Sequence, residues 1–322
     1  MEALTLCVPP TPGNSIVRRP DNENIFSIAT ILKQKNYQPY FIYGGDGYFD
    51  NMNTFFGGQG FDTIDRDRGN PLPDNISTTR YKISDDEVSF ESAWGICDEG
   101  LYKQSLKYAD KCNAVNRPFF QFVMTTSNHK PYTFPEGKID LPQGDRNAAV
   151  KYTDYALGKF LIEAKQKPWF KNTVFVIVAD HCASSAGKWE INIDKHHIPT
   201  IIYNLPSPAE KIGRLASQID LMPTLFGYLN WNYDTSLYGK DINKTSNAEA
   251  RAFIGNYRTL GMLKDHIFTQ IDDRKRVKQF TVTEQGVSIE ETKKQNKELA
   301  LQTISYYQTA SERFKNGKMK VR

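Results

Sequence analysis

Short apolar runs rich in β-branched and aromatic residues alternate along the chain with segments whose apolar positions recur every three or four residues. That alternation predicts strands interleaved with core-facing helices. Strands are expected at residues 40–43, 61–65, 119–124, 174–179 and 198–203. A helix follows Asn24, with Ile25, Ile28, Ala29 and Leu32 on one face and Tyr37 beyond its end. A second is expected within 94–114, where Leu101, Leu106 and Ala109 face inward and Asp98 suits an N-cap. Over 146–164 the face is Ala149, Tyr152, Ala156, Phe160 and Ala164, widened by Leu157 and Leu161. Over 217–230 Asp220 is the expected cap, with Pro223 in the first turn, where a missing amide hydrogen is harmless. Residues 65–86, rich in Asn, Asp, Pro and Arg, read as a surface loop. Near the end, 252–257 and 278–282 have strand character. A polar helix within 284–316 sets Leu299, Leu301, Ile304 and Tyr307 in its apolar positions.

The run at 174–179, continuous rather than alternating, suits a strand covered on both faces of a parallel sheet. It delivers Asp180 and His181 at its carboxyl end, where open α/β sheets collect ligands. A carboxylate beside an imidazole can reach one divalent ion, although a loop Asp capping a helix beside an ordinary His explains the pair equally well. The strand at 119–124 likewise delivers TTSNH, ending in His129. Glycines 44, 45 and 47 after the strand at 40–43 allow a tight turn or a close approach of backbone to ligand.

Charged residues are 24% of the 322 and the net charge is +4, too mild and too mixed in sign for a dedicated nucleic-acid binder. The basic runs at 272–278 and 315–322 read as solvated faces. No apolar stretch approaches the ~20 residues of a membrane span. Cys7, Cys97, Cys112 and Cys182 lie far apart without CxxC spacing, which supports neither a disulfide framework nor a zinc knuckle. Cys97 and Cys112 read as small buried hydrophobes.

TTSNHKPYTFP, VADHCASSAGK and HHIPTIIY, in that order, resemble the sulfatase-like branch of the alkaline phosphatase superfamily, close to lipoteichoic acid synthase and related phosphoglycerol or phosphoethanolamine transferases. The resemblance runs from the first residues to about Ile242, so it implies a domain over 1–242 and an appendage over 243–322. It implies an alkaline-phosphatase-like α/β fold: a mostly parallel sheet flanked by helices, with a small C-terminal α+β appendage. It also implies one divalent metal ion (manganese, zinc or magnesium) on Asp180 and His181. His129 would contact the phosphate or protonate the leaving group, and His197 would lie near the substrate. The head-group residues would be Phe49 at the family's aromatic position, Asn51 where an Arg is expected and Tyr43 where some members have His. That Asn for Arg makes the pocket differ from the lipoteichoic acid enzymes.

By the same resemblance the substrate is an extracytoplasmic phospholipid or glycan, and the full-length form is anchored in a membrane of the cell envelope. MEALTL matches a segment just after the family's nucleophilic Thr, so the nucleophile and the first acidic ligand are expected ahead of Met1, and the chain alone is expected to turn over little. Thr5 is a poor substitute for that nucleophile. Cys7-Val8-Pro9-Pro10-Thr11 approaches the CxPxR signature of formylglycine sulfatases but has Thr11 where Arg is required. Two alternatives stand: a sulfate-ester hydrolase of the same fold, and a degenerate, non-catalytic binding module. Cys182 reads as a buried thiol and His266 as structural.

Overall fold

The computed structural model describes residues 1–183, 191–256, 258–283 and 289–321. The stretch 184–190, which includes most of the CASSAGK motif, lies outside them, as do Tyr257, at the end of an expected strand, and 284–288, at the start of the expected helical region. The chain forms two compact units, one of residues 1–19, 25–28 and 174–322 and the other of 20–24 and 29–173. The first unit opens with a short helix, α1 (Glu2–Leu6), ended by Cys7 in the left-handed conformation at φ 50°.

The second unit holds a parallel sheet. After α2 (Ile28–Gln34) come β1 (Gln38–Tyr43), α3 (Met52–Gln59), β2 (Asp62–Asp65) and β3 (Arg80–Lys82). Next are a two-stranded hairpin of β4 (Glu91–Ser92) and β5 (Gly95–Ile96), α4 (Asp98–Ala114), β6 (Phe119–Met124) and α5 (Arg146–Ala164). The sheet order is β3-β2-β1-β6, all parallel, with Phe41 opposite Phe122 and Thr63 opposite Arg80. Side chains alternate across β1 as strand geometry requires. Tyr40 and Ile42 join Ile64, Leu101 and Tyr108 in one core. Phe41 turns to the other face and stacks on Phe56 at 3.8 Å between ring centres. Helix α5 buries Ala149, Tyr152, Ala156, Phe160 and Ala164, the face read from its periodicity.

Two expectations for this unit change. Residues 65–86 are not wholly loop, because Arg80–Lys82 extends the sheet by one short parallel strand. Helix α4 starts four residues later than Trp94, because β4 and β5 take up the intervening residues as a hairpin.

In the first unit β7 (Phe175–Val178) and β8 (Thr200–Tyr203) pair antiparallel, Phe175 opposite Tyr203 and Val178 opposite Thr200. The strand expected to be covered on both faces of a parallel sheet is thus a half-buried arm of a ribbon. An antiparallel partner needs only a returning loop, whereas a parallel one needs a crossover element. Helix α6 (Leu221–Tyr228) follows a 3₁₀ turn in which Ser217 and Asp220 form a capping box. The unit closes with a five-stranded antiparallel sheet of β9 (Ala252–Gly255), β10 (Thr259–Lys264), β11 (Ile267–Asp272), β12 (Val277–Val282) and β13 (Ile289–Glu291), and with α7 (Lys297–Lys315). His266 sits with Asp265 at the β10–β11 turn, both at positive φ, the geometry of a two-residue hairpin loop. Leu301, expected inside, is 64% exposed, while Leu299, Thr303, Tyr307 and Ala310 are buried. Two positions past Leu299 a helix has turned by about 200°, onto the solvent side.

Candidate active site

The glycine-rich loop after β1 is held from beneath by a buried ion network. Asp65, at the end of β2 and 1% exposed, accepts the Gly47 amide at 2.6 Å and both arms of Arg80 at 2.7 and 2.9 Å. Arg80 also reaches Asp46 at 2.8 Å. A planar guanidinium meeting a carboxylate through two bonds fixes geometry as well as charge. Burial pushes the Asp46 carboxyl up, yet the amides of Tyr48 and Arg68, the side chain of Asn70 and Arg80 together hold it below its ordinary value. Arg80 falls in the stretch 65–86, whose composition reads as a surface loop. Its signal in the sequence is only its place after a run of turn residues, which says nothing of a carboxylate folded beneath it.

The side chains expected around this loop differ in access. Tyr43 is buried, its phenol pushed up to about 12 by burial and by Asp50, Asp46 and Asp65. Asn51 is the N-terminal neighbour of α3 in the left-handed conformation, φ 61°. Phe49 is 47% exposed and meets Trp94 edge-on, ring centres 5.5 Å apart. Trp94, in the β4–β5 turn, lies against the His129 imidazole at 3.8 Å and 44°. Phe49 and His129, assigned separately from the sequence, are therefore joined through a residue that sequence reasoning passed over.

His129 rides on a loop fixed at its base. Asp98 does not cap its own helix. Cys97 holds the N-cap position, and the Asp98 carboxylate accepts the Thr126 and Ser127 amides at 3.2 and 3.0 Å and the Thr153 hydroxyl at 3.1 Å. Burial raises the Asp98 carboxyl above its ordinary value against these hydrogen bonds. The Tyr132 amide donates to the His129 carbonyl at 2.8 Å, and the imidazole Nδ1 faces the Lys130 carbonyl at 3.2 Å.

In the other unit Asp180 and His181 stand just past β7. The His181 amide donates to Asp180 Oδ1 at 2.9 Å, and Asp180 Oδ2 lies 3.4 Å from His181 Nε2. Both side chains are more than half exposed. Gln218 pins the turn by donating to the Ala179 and Asp180 carbonyls at 2.9 and 3.0 Å. The partly exposed Cys182 thiol, expected buried, donates to the His197 carbonyl at 3.2 Å, which ties the residues before β8 to the Asp180 turn. Burial lowers the Met1 amino group below its ordinary value, opposed by the nearby Asp180 carboxylate. A carboxylate oxygen and an imidazole nitrogen have the chemistry for zinc or manganese. Two donors make only part of a coordination sphere, and no group of three or more His, Cys, Asp or Glu able to hold an ion occurs among the described residues. The pair alone does not make a complete metal site.

The Sulfatase family model matches residues 3–231. The chain belongs to the sulfatase family. Within it, the chain is 24% identical over 270 residues to lipoteichoic acid synthase 2 of Bacillus subtilis (76% of this chain, 38% of that protein). It is 22% identical over 264 residues to phosphoglycerol transferase I of Citrobacter koseri (79% and 33%). The chain thus spans little more than a third of these curated relatives. Among solved structures, a protein of the alkaline phosphatase superfamily from Vibrio parahaemolyticus superposes with a TM-score of 0.88 at 30% identity, over 100% of this chain and 76% of that one. The lipoteichoic acid synthase LtaP of Listeria monocytogenes gives 0.70 at 18%, over 98% and 79%, and shows the shared fold. The architecture of this sulfatase-family chain is therefore alkaline-phosphatase-like, a parallel sheet flanked by helices with an antiparallel C-terminal part.

Proposed function

We propose that this chain carries the phosphoester-handling residues of a metal-dependent phosphoryl-group transferase or phosphodiesterase of the phosphoglycerol-transferase type, acting on a lipid or glycan outside the cytoplasm. The observation that carries the reading is the cluster of Phe49, Trp94 and His129, a half-exposed aromatic surface ending in an imidazole. With Nδ1 turned to a carbonyl, the other ring nitrogen of His129 can hold a proton for a leaving oxygen. Asp180 and His181 supply two donors toward a divalent ion, with His197 nearby through the Cys182 contact. Phe49 would lie against the head group, and Asn51 offers a neutral amide where an Arg would make an ion pair. Tyr43, neutral below about pH 12, would act as packing behind the loop. The names of the relatives, a lipoteichoic acid synthase and a phosphoglycerol transferase, support phosphoglycerol chemistry.

The test is hydrolysis of bis(4-nitrophenyl) phosphate against 4-nitrophenyl sulfate with added Mn²⁺. Turnover by the chain alone is expected to be low, because two donors hold an ion weakly, and to favour the phosphodiester. His129→Ala should lower it further, by about 10²-fold or more. A preference for the sulfate ester would overturn the reading. That alternative needs a formylglycine, and Cys7 is fully buried with its thiol pushed up by burial and by Asp220. The Cys7 peptide is expected to carry an unmodified thiol in tryptic mass spectrometry.

A further inference from the structure

We propose that Trp94 is a positioning residue for His129, holding the neutral imidazole as its Nδ1–H tautomer with the lone pair on Nε2. The inference deepens the reading of His129 as the residue at the leaving group, and rests on it for its catalytic meaning only.

The placement of Trp94 is built into the backbone. Gly95 has φ +129°, a conformation that side chains rarely adopt, and a Cβ there would fall 2.3 Å from the Gly44 carbonyl carbon. A Cβ on Gly45 would fall 2.7 Å from the Trp94 carbonyl oxygen. The Ile96 amide donates to the Gly44 carbonyl at 2.9 Å. The glycine pair after β1 and the glycine of the hairpin thus let two backbones touch, which explains Gly44 and Gly45 without a phosphate cradle. Within the turn, the Trp94 amide donates to the Ser92 hydroxyl at 3.1 Å, which itself donates to the Gly95 carbonyl at 3.3 Å.

From that fixed turn the indole reaches the loop of His129. Its Nε1–H donates to the Lys130 carbonyl at 2.5 Å, the same oxygen that His129 Nδ1 faces at 3.2 Å. An indole nitrogen can only donate and a carbonyl can only accept, through two lone pairs. Both partners can be satisfied together only if Nδ1 also carries its hydrogen, which leaves the neutral ring with its lone pair on Nε2. The indole lies against the imidazole with ring centres 3.8 Å apart and planes tilted by 44°, so the ring cannot swing without losing that contact. Nε2 can then take up a proton, forming an imidazolium with both nitrogens protonated, and release that proton to a leaving alkoxide.

The experiment is ¹⁵N-detected histidine NMR on the full 322-residue chain above pH 8, comparing wild type with Trp94→Phe, Trp94→Leu and His129→Gln. The last assigns the His129 signals by their loss. In the wild type, His129 should show a protonated Nδ1, an unprotonated Nε2 and ring protons shifted upfield by the indole. Trp94→Leu should lose the upfield shift and mix the tautomers. Trp94→Phe should keep much of the shift while also mixing the tautomers, which separates the stack from the N–H bond. An Nε2–H tautomer in the wild type, or His129 signals unchanged in Trp94→Leu, would overturn the proposal. Should Trp94→Leu fail to fold, indole emission decides: His129→Gln should change it by removing the imidazole that lies against Trp94, and unchanged emission contradicts the contact. If His129 is held as described while its loss leaves phosphodiester turnover intact, the leaving-group reading fails and the positioning stands.

Discussion

Two buried arginines show what single residues contribute here. Arg251 is 3% exposed and meets Asp220, 1% exposed, at 2.7 Å, while the Asp220 carboxylate also accepts the Ser217 and Lys240 amides. Burial lowers the guanidinium, and Asp220 more than offsets it, leaving Arg251 above its ordinary value. Removing one partner strands a buried charge, so Arg251→Ala should cost about 3–5 kcal/mol in urea denaturation. Arg80→Ala should cost a similar amount by stranding Asp65, whereas Arg80→Lys, a point charge without the planar fork, should recover only part. Losses below about 1 kcal/mol for both alanine variants would show these pairs to be incidental. Asp220 was legible as a helix-capping residue, but its ion pair with a residue thirty-one positions later was not.

Elements with a strong period were the most legible. Helix α5 spans 146–164 as read, because its alanines and aromatics recur on one face and Asp145 caps it by accepting the Asn147 and Ala148 amides. Strand β6 also matches its expected ends, since five apolar residues and Gln121 stand between Pro118 and the polar TTSNH. Strands β3, β4 and β5 escaped because two or three residues carry no period, and their places are set by side-chain ion pairs and glycine contacts. The 3₁₀ turn before β4 is fastened to α4 through Glu87, which accepts from Lys107, Gln104 and Ser84. Those partners depress the Glu87 carboxyl from 4.5 to about 2, Lys107 most strongly. A depressed acid stabilises the fold above its unfolded value and loses that contribution as pH falls toward about 2. Wild-type stability should therefore exceed that of Glu87→Gln at pH 6, by about 1 kcal/mol given the exposure of Lys107, and the two should converge near pH 2. A constant difference across that range would contradict the linkage.

At the scale of the whole molecule, membership in the sulfatase family rests on a match over residues 3–231, and the fold on superposition over the full chain. The residue types of the candidate site were legible because DH and SNH follow strands. The pairing of β7 with β8 was not, because a continuous apolar run does not reveal the direction of its partner. Trp94 was missed because a lone Trp in a short hairpin has no motif, and its role appears only once Gly95 brings it against Gly44. Asp180 and His181 are proposed donors to a divalent ion, through a carboxylate oxygen and an imidazole nitrogen. Loose association of the cation with the carboxylates of Asp46, Asp65 and Asp67, which Arg80 already neutralises, is the other outcome. An Mn²⁺ titration of the ¹⁵N-labelled chain, followed by paramagnetic line broadening, decides between them. Broadening is expected to begin at Asp180, His181, Cys182 and His197 and to disappear in Asp180→Ala. Broadening that begins at Asp46 and Asp65, or that survives unchanged in Asp180→Ala, would contradict it.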